Sequence, residues 1–127
     1  MAVDHYISVP RPTTIASRSE LIKYSRAIMR EDYAEDLSLD DVAGRIATSR
    51  RQLQRVFAEI AGTGFREELA AIRMERAAEL LAGPLPVGEV ARRVGYRQSA
   101  QFAKAFRAHH GMVPSEYRAQ VRGRQYG

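Results

Sequence analysis

The chain has 127 residues, of which 45% are hydrophobic, with a formal net charge of +5 and an isoelectric point near 10.0. That is enough apolar residue for a core, so wholesale disorder is excluded and one ordinary domain or two small subdomains are expected. The absence of cysteine excludes disulfides, thiolate zinc sites and a cysteine nucleophile, and the basic balance favours a polyanionic partner.

Residues 1–16 show no helical period, and Pro10 and Pro12 sit beside Thr13 and Thr14. An arm is expected over 1–18, with no signal peptide, since Asp4, His5, Ser8 and Pro10 interrupt it. Ser17-Arg-Ser-Glu20 reads as a capping box. It opens helix 1, about 19–34, with Leu21, Tyr24, Ile28 and Tyr33 at helical spacing. Ser38-Leu-Asp-Asp41 opens helix 2, whose apolar side is Leu39, Val42, Ala43 and Ile46. Ser49, with Gln52 three residues on, starts helix 3, with Leu53, Val56, Phe57 and Ile60 inward and Gly62 as its stop.

Helix 4 spans about 65–82, with Leu69, Ile72, Met74, Ala77, Leu80 and Leu81 inward, and Gly83-Pro84 ends it. Helix 5 begins at Pro86, a residue suited to a first turn, and carries Val87, Val90, Ala91 and Val94. Gly95-Tyr-Arg97 turns into helix 6, about 98–110, anchored by Phe102 and Phe106 and stopped by Gly111. Pro114 opens a last helix carrying Tyr117 and Val121. No segment alternates with period two over strand length. The chain thus reads as all-α with seven helices. No apolar run approaches the roughly 20 residues that span a bilayer, so no membrane association is expected.

Two segments are copies of one unit. Leu39–Gly62 holds Val42-Ala43, Ile46-Ala47, Leu53, Phe57 and Gly62, and Val87–Gly111 holds Val90-Ala91, Val94-Gly95, Phe102, Phe106 and Gly111. Each reads as helix, turn, helix, with polar and basic residues between the second helix's apolar anchors. A repeated helix-turn-helix in a basic chain points to DNA gripped at two places. The expected organisation is an arm at 1–18, subdomains at 19–63 and 84–122, a linker helix at 64–83 and a tail at 123–127.

The strings Arg73-Met-Glu-Arg-Ala-Ala-Glu-Leu-Leu81, Val87-Gly-Glu-Val-Ala-Arg-Arg-Val-Gly-Tyr96, Phe102-Ala-Lys-Ala-Phe106 and Gly111-Met-Val-Pro-Ser-Glu-Tyr-Arg118 carry a resemblance. The chain resembles the DNA-binding domain of AraC/XylS transcription regulators over roughly residues 20–118. The resemblance implies two helix-turn-helix subdomains joined by one long helix. It departs at Gly64, in place of a Ser or Thr cap; at Glu68, in place of an aromatic; at Gln98, in place of a stronger cap; and at Val113, in place of Thr. Each lost cap is worth about 0.5–2 kcal/mol. Most members carry a separate effector-binding or dimerisation domain, for which this chain has no room.

The major groove admits one α-helix, and side chains near its N-terminal half reach base edges. Leu53 and Phe57 fix the inward side of helix 3, which turns Arg51, Gln54 and Arg55 outward with Arg50 beside them. Arg pairs with guanine and Gln with adenine through two hydrogen bonds each. The resemblance puts base reading at the same Arg51, Gln54 and Arg55. No acid follows these arginines until Glu59. In helix 6 the matching residues are Ser99, Ala100, Gln101 and Lys104, a chemically poorer set. Helix 3 is therefore expected to supply most discrimination and helix 6 more of the affinity. Phosphate contacts are expected from Arg50, Ser49, Arg97, Gln98 and Arg107, and from first-turn amides of helices 2, 3, 5 and 6. Arg92 and Arg93 read as solvated surface. His109-His110 reads as helix-end surface rather than a metal site, and no metal or cofactor is expected.

These features predict a cytoplasmic, nucleoid-associated regulator that is not an enzyme and binds double-stranded DNA as a monomer at an asymmetric site. Recognition helices in successive major grooves lie about 34 Å apart. A rigid helix 4 would then bend the DNA, and binding should weaken steeply with salt. The resemblance implies an activator that touches RNA polymerase, with no small-molecule effector bound within this chain. Two alternatives stand beside it: a repressor using the same surface, and a DNA-binding module of a larger effector-sensing regulator.

Overall fold

A computed structural model describes residues 17–126. Within that range the chain forms seven α-helices: α1 (Arg18–Asp32), α2 (Leu39–Arg45), α3 (Arg50–Val56), α4 (Phe65–Leu81), α5 (Val87–Arg93), α6 (Ser99–His110) and α7 (Pro114–Tyr126), with a π-helical turn at Phe57–Ala61. The described residues contain no strand. The expected arm lies almost wholly outside them.

The chain divides into two compact units. The first comprises the described residues to Asp32 together with Leu37–Glu68. Its helices start on local hydrogen bonds that the sequence encodes. Ser17 and Glu20 cap α1 reciprocally, with Ser17 N–H donating to Glu20 Oε1 at 2.9 Å and Glu20 N–H to Ser17 Oγ at 3.2 Å. Ser38 and Asp41 form the same box on α2, at 3.0 Å in each direction. Ser49 Oγ accepts from Gln52 N–H at 3.0 Å on α3.

The buried apolar side chains of this unit are Leu21, Ile22, Ile28, Met29, Leu37, Val42, Ala43, Ile46, Leu53, Val56, Phe57 and Phe65. Each large one contributes about 1.5–3 kcal/mol through burial. Phe57 and Phe65 meet edge to face, centroids 6.0 Å apart. The face that α1 buries is Leu21, Ile22, Ser25, Ile28, Met29 and Asp32, whereas Tyr24 is only half-buried. Two polar residues interrupt that stripe, and both are satisfied. Ser25 Oγ donates to the Leu21 carbonyl at 2.7 Å, and Asp32 accepts from Arg45 Nη1 at 2.6 Å. Glu68, which stands where the resemblance expects an aromatic, accepts a two-pronged bond from Arg26, Nε to Oε1 at 2.8 Å and Nη2 to Oε2 at 2.9 Å. A half-buried ion pair takes the place of a ring.

Helix 3 does not run unbroken to Gly62. It passes into the π turn, where i→i+5 bonding adds a residue to the turn. The extra residue shifts the register, and Ile60, expected inward, is left 44% exposed. Gly62, at φ +71°, closes the turn.

The second unit comprises Tyr33–Asp36 and Leu69 onward. Met74, Ala77 and Leu81 of α4, Val90 and Ala91 of α5, Val94, and Phe102 and Phe106 of α6 form its buried core, with Tyr33, Leu85, Tyr96 and Tyr117 packed against it. Pro86 stands just outside α5 as its N-cap. Arg73 ties the short segment 33–36 to α4, donating from Nε to Tyr33 O at 2.7 Å and from Nη2 to Glu35 O at 2.9 Å. Arg118 of α7 donates from Nε to Leu81 O, the last carbonyl of α4, at 2.9 Å and from Nη2 to Leu85 O. Burial holds its guanidinium below the ordinary range, with Arg122 adding to the effect.

The division differs from the boundaries expected at 63/64 and 83/84. The first turn of α4 belongs with the first unit, the rest of α4 with the second, and residues 33–36 join the second although they follow α1. Arg73 and the core face of α4 are the physical reason. His110, expected at the surface, donates from Nε2 to Met74 O at 3.0 Å and stacks on Phe106, centroids 4.4 Å apart. His109 remains exposed.

Candidate nucleic-acid interface

Each unit presents one helix-turn-helix, and the two turns share a backbone pattern. In the first, Ile46 N–H donates to Val42 O at 3.2 Å, Ala47 N–H to Gly44 O at 3.3 Å and Thr48 N–H to Ala43 O at 3.0 Å. In the second, Val94 N–H donates to Val90 O at 3.1 Å, Gly95 N–H to Arg92 O at 3.1 Å and Tyr96 N–H to Ala91 O at 2.9 Å. The turn residue is left-handed in both, Ala47 at φ +57° and Gly95 at φ +98°. The sequence repeat is therefore a repeat of geometry.

On α3, Leu53, Val56 and the following Phe57 are buried, and this aims Arg50, Arg51, Gln52, Gln54 and Arg55 at solvent. Arg51, Gln52 and Arg55 line an open groove of about 500 Å³ with Ser49, Val56, Arg18 and Glu59. Gln52 is committed locally, since its Oε1 accepts from Thr48 Oγ1 at 3.1 Å. The arginine cluster is less unbalanced than the sequence suggests. Asp40 comes within 3.8 Å of Arg50 Nε, a separation at which an exposed pair contributes little. Arg18 pairs with Glu59.

On α6, Phe102 and Phe106 are buried, while Ser99, Ala100, Gln101, Lys104 and Arg107 are exposed. Lys104 and Arg107 rim a mostly apolar groove of about 500 Å³ floored by Ala103, Ala108 and Val113. Arg97, Gln98 and Gln101 line a separate cleft of about 730 Å³ with Asp36, Arg73 and Arg92. Gln98 occupies the N-cap of α6 and makes no side-chain cap bond. Serine side chains thus occupy one first-turn amide on each of α2 and α3, whereas α5 and α6 start without a side-chain cap. Arg92 and Arg93 both pair with Glu89, at 2.6 and 3.2 Å. Arg92 first, then Arg93, hold the Glu89 carboxyl below the usual carboxylate range.

Every base-reading candidate therefore lies on the exposed side of α3 or α6, and Ser49, Arg50, Arg97, Gln98 and Arg107 lie at or beside those helices. Arg18 and Glu59 join the first groove without having been singled out as contacts. Nothing in sequence spacing signals them, because the pair forms only when α1 packs beside α3.

Two helix-turn-helix motifs, each holding its second helix by a buried aromatic and presenting polar and basic side chains outward, define a DNA-binding domain. A helix-turn-helix domain family matches residues 42–120. The C-terminal domain of AraT, a response regulator from Geobacillus stearothermophilus, is 34% identical and superposes with a TM-score of 0.77, over 83% of this chain and 88% of that one. The DNA-binding domain of AdpA, solved in complex with a target DNA, is 30% identical with a TM-score of 0.72, over 84% and 94%. The lactose operon transcription activator of Staphylococcus xylosus is 30% identical over 101 residues, 79% of this chain. The chain belongs to the AraC/XylS family of helix-turn-helix regulators, a family of DNA-binding proteins rather than enzymes. It spans 38% of each of the first two curated relatives it matches and 36% of the lactose operon activator. No helix among the described residues is long and apolar enough to cross a membrane.

Proposed function

We propose that this chain is a sequence-specific transcription activator that binds an asymmetric DNA site as a monomer through two adjacent major grooves and touches RNA polymerase. The observation that carries the reading is α3: its apolar anchors are buried, and Arg51, Gln54 and Arg55 stand together in solvent with Arg50 beside them. Two motifs of unequal chemistry favour an asymmetric site over a palindrome. The DNA complex of the AdpA domain supports duplex DNA as the partner, and the similarity to the lactose operon transcription activator supports activation.

In this reading Arg51, Gln54 and Arg55 read bases, and Ser99, Ala100, Gln101 and Lys104 provide the looser second hold. Arg50, Ser49, Arg97, Gln98 and Arg107 position the protein on phosphates. A good bidentate contact carries about 1–3 kcal/mol of discrimination. Selection of bound sequences from a random duplex pool tests the assignment. Arg55→Ala is expected to relax preference at one half-site, and Lys104→Ala to lower affinity evenly across sequences. If Lys104→Ala proves the more discriminating change, the ranking of the two helices is wrong. Activation is tested by a promoter fusion carrying the selected site; lower output on expression assigns a repressor instead. The greater length of the curated relatives favours a second reading, in which this domain is the DNA-binding module of a larger effector-sensing regulator.

A further inference from the structure

Glu59 is the acid in the groove that holds Arg51 and Arg55. Arg51, Arg55 and Glu59 recur at four-residue spacing along α3 and its π-helical extension, so they follow one another along one side. An unneutralised carboxylate there has two effects. It repels the phosphates that a helix in the major groove approaches, and it competes for Arg55, its neighbour one turn back. Arg18, the first residue of α1, takes that carboxylate.

The two side chains are 50% and 52% exposed. A pair so open to water adds only about 0–1 kcal/mol to folding. The groove wall it occupies is continuous with the base-reading arginines, which places it where DNA would pass. We infer that Arg18 is a positioning residue for DNA recognition: by pairing with Glu59 it leaves Arg55 free to read a base and removes a negative charge from the DNA-facing groove. The inference rests on the reading of α3 as a recognition helix.

The test measures affinity and base preference on a duplex selected by the wild-type chain. Arg18→Ala is expected to weaken binding by about three- to tenfold at physiological salt and to blunt preference at the base assigned to Arg55. Glu59→Gln in the Arg18→Ala background is expected to restore both. Lys23→Ala, which removes one exposed positive charge from the same helix away from the groove, serves as the charge-matched control and is expected to change affinity less. Thermal melts accompany each variant, and a purely structural role would lower the melting temperature without rescue by Glu59→Gln. Unchanged binding by Arg18→Ala overturns the inference, as does failed rescue or an equal loss in Lys23→Ala. Wild-type protein that binds no duplex would instead overturn the assignment of α3, a separate and earlier failure.

Discussion

The two helix-turn-helix turns make opposite demands on one substitution. Ala47 and Gly95 occupy equivalent places, and both are left-handed, at φ +57° and +98°. An L side chain in that region costs about 1–2 kcal/mol, while replacing alanine by glycine loses about 0.4–1 kcal/mol through the freer unfolded chain. Ala47→Gly is therefore expected to stabilise by about 0.5–1 kcal/mol. Gly95→Ala incurs the same backbone strain and meets neighbours as well. A Cβ there lies 3.2 Å from Ala34 O and 3.3 Å from the Arg73 guanidinium carbon, the group that holds residues 33–36. Crowding of this kind costs about 1–3 kcal/mol. With the unfolded-state gain subtracted, Gly95→Ala is expected to destabilise by about 2–4 kcal/mol. Urea denaturation followed by circular dichroism reads both. At about 4 °C per kcal/mol, melting should rise by roughly 2–4 °C for Ala47→Gly and fall by roughly 8–16 °C for Gly95→Ala. Destabilisation by Ala47→Gly, or a neutral Gly95→Ala, would refute the turn geometry as the cause.

Three further outcomes follow from single groups. Arg118→Ala removes donors to the Leu81 and Leu85 carbonyls and should cost about 1–3 kcal/mol in urea unfolding; Arg118→Lys, which lacks the fork, should recover less than half. A double-mutant cycle on Arg26 and Glu68, using alanine at each, should give a coupling of about 1–2 kcal/mol for their two-pronged pair; a coupling near zero would mean the pair is held by packing alone. The Asp41 carboxyl is held below its ordinary range by hydrogen bonding to Ser38, side chain first and backbone second, and Glu20 is held low by Ser17, backbone first. Depressed carboxylates stabilise the fold in full above the unfolded value of about 4 and lose that contribution as pH falls from there through the lower folded value. Melting temperature should therefore be flat from pH 6 to 8 and fall below about pH 4, and Asp41→Asn should flatten that acid limb.

The sequence was most informative where one local rule governed the outcome. Serine caps followed three residues later by an acid or Gln fixed the starts of α1, α2 and α3. Phe57, Phe102 and Phe106 fixed which side of the second helix of each motif is buried, because these aromatic anchors pack into the cores. The exposed residues Arg51, Gln54, Arg55, Gln101 and Lys104 follow from that orientation alone. Local rules could not anticipate the polar members of the buried stripe on α1, since Ser25 and Asp32 are tolerated inside only through Leu21 O and Arg45. Nor could they foresee the slip at Phe57–Ala61 that turned Ile60 outward, because apolar periodicity assumes a constant number of residues per turn. Glu68 reads as a departure in the sequence and becomes an ion pair once Arg26 is beside it. The duplicated pattern by itself determined two helix-turn-helix motifs and the side chains they present. The pairs of Glu89 with Arg92 and Arg93 are local to α5, at three- and four-residue spacing. Only the tertiary structure decided which other charges remain free there, bringing Asp40 to Arg50 and Arg18 to Glu59, because an ion pair depends on distance in space and these partners lie on different elements.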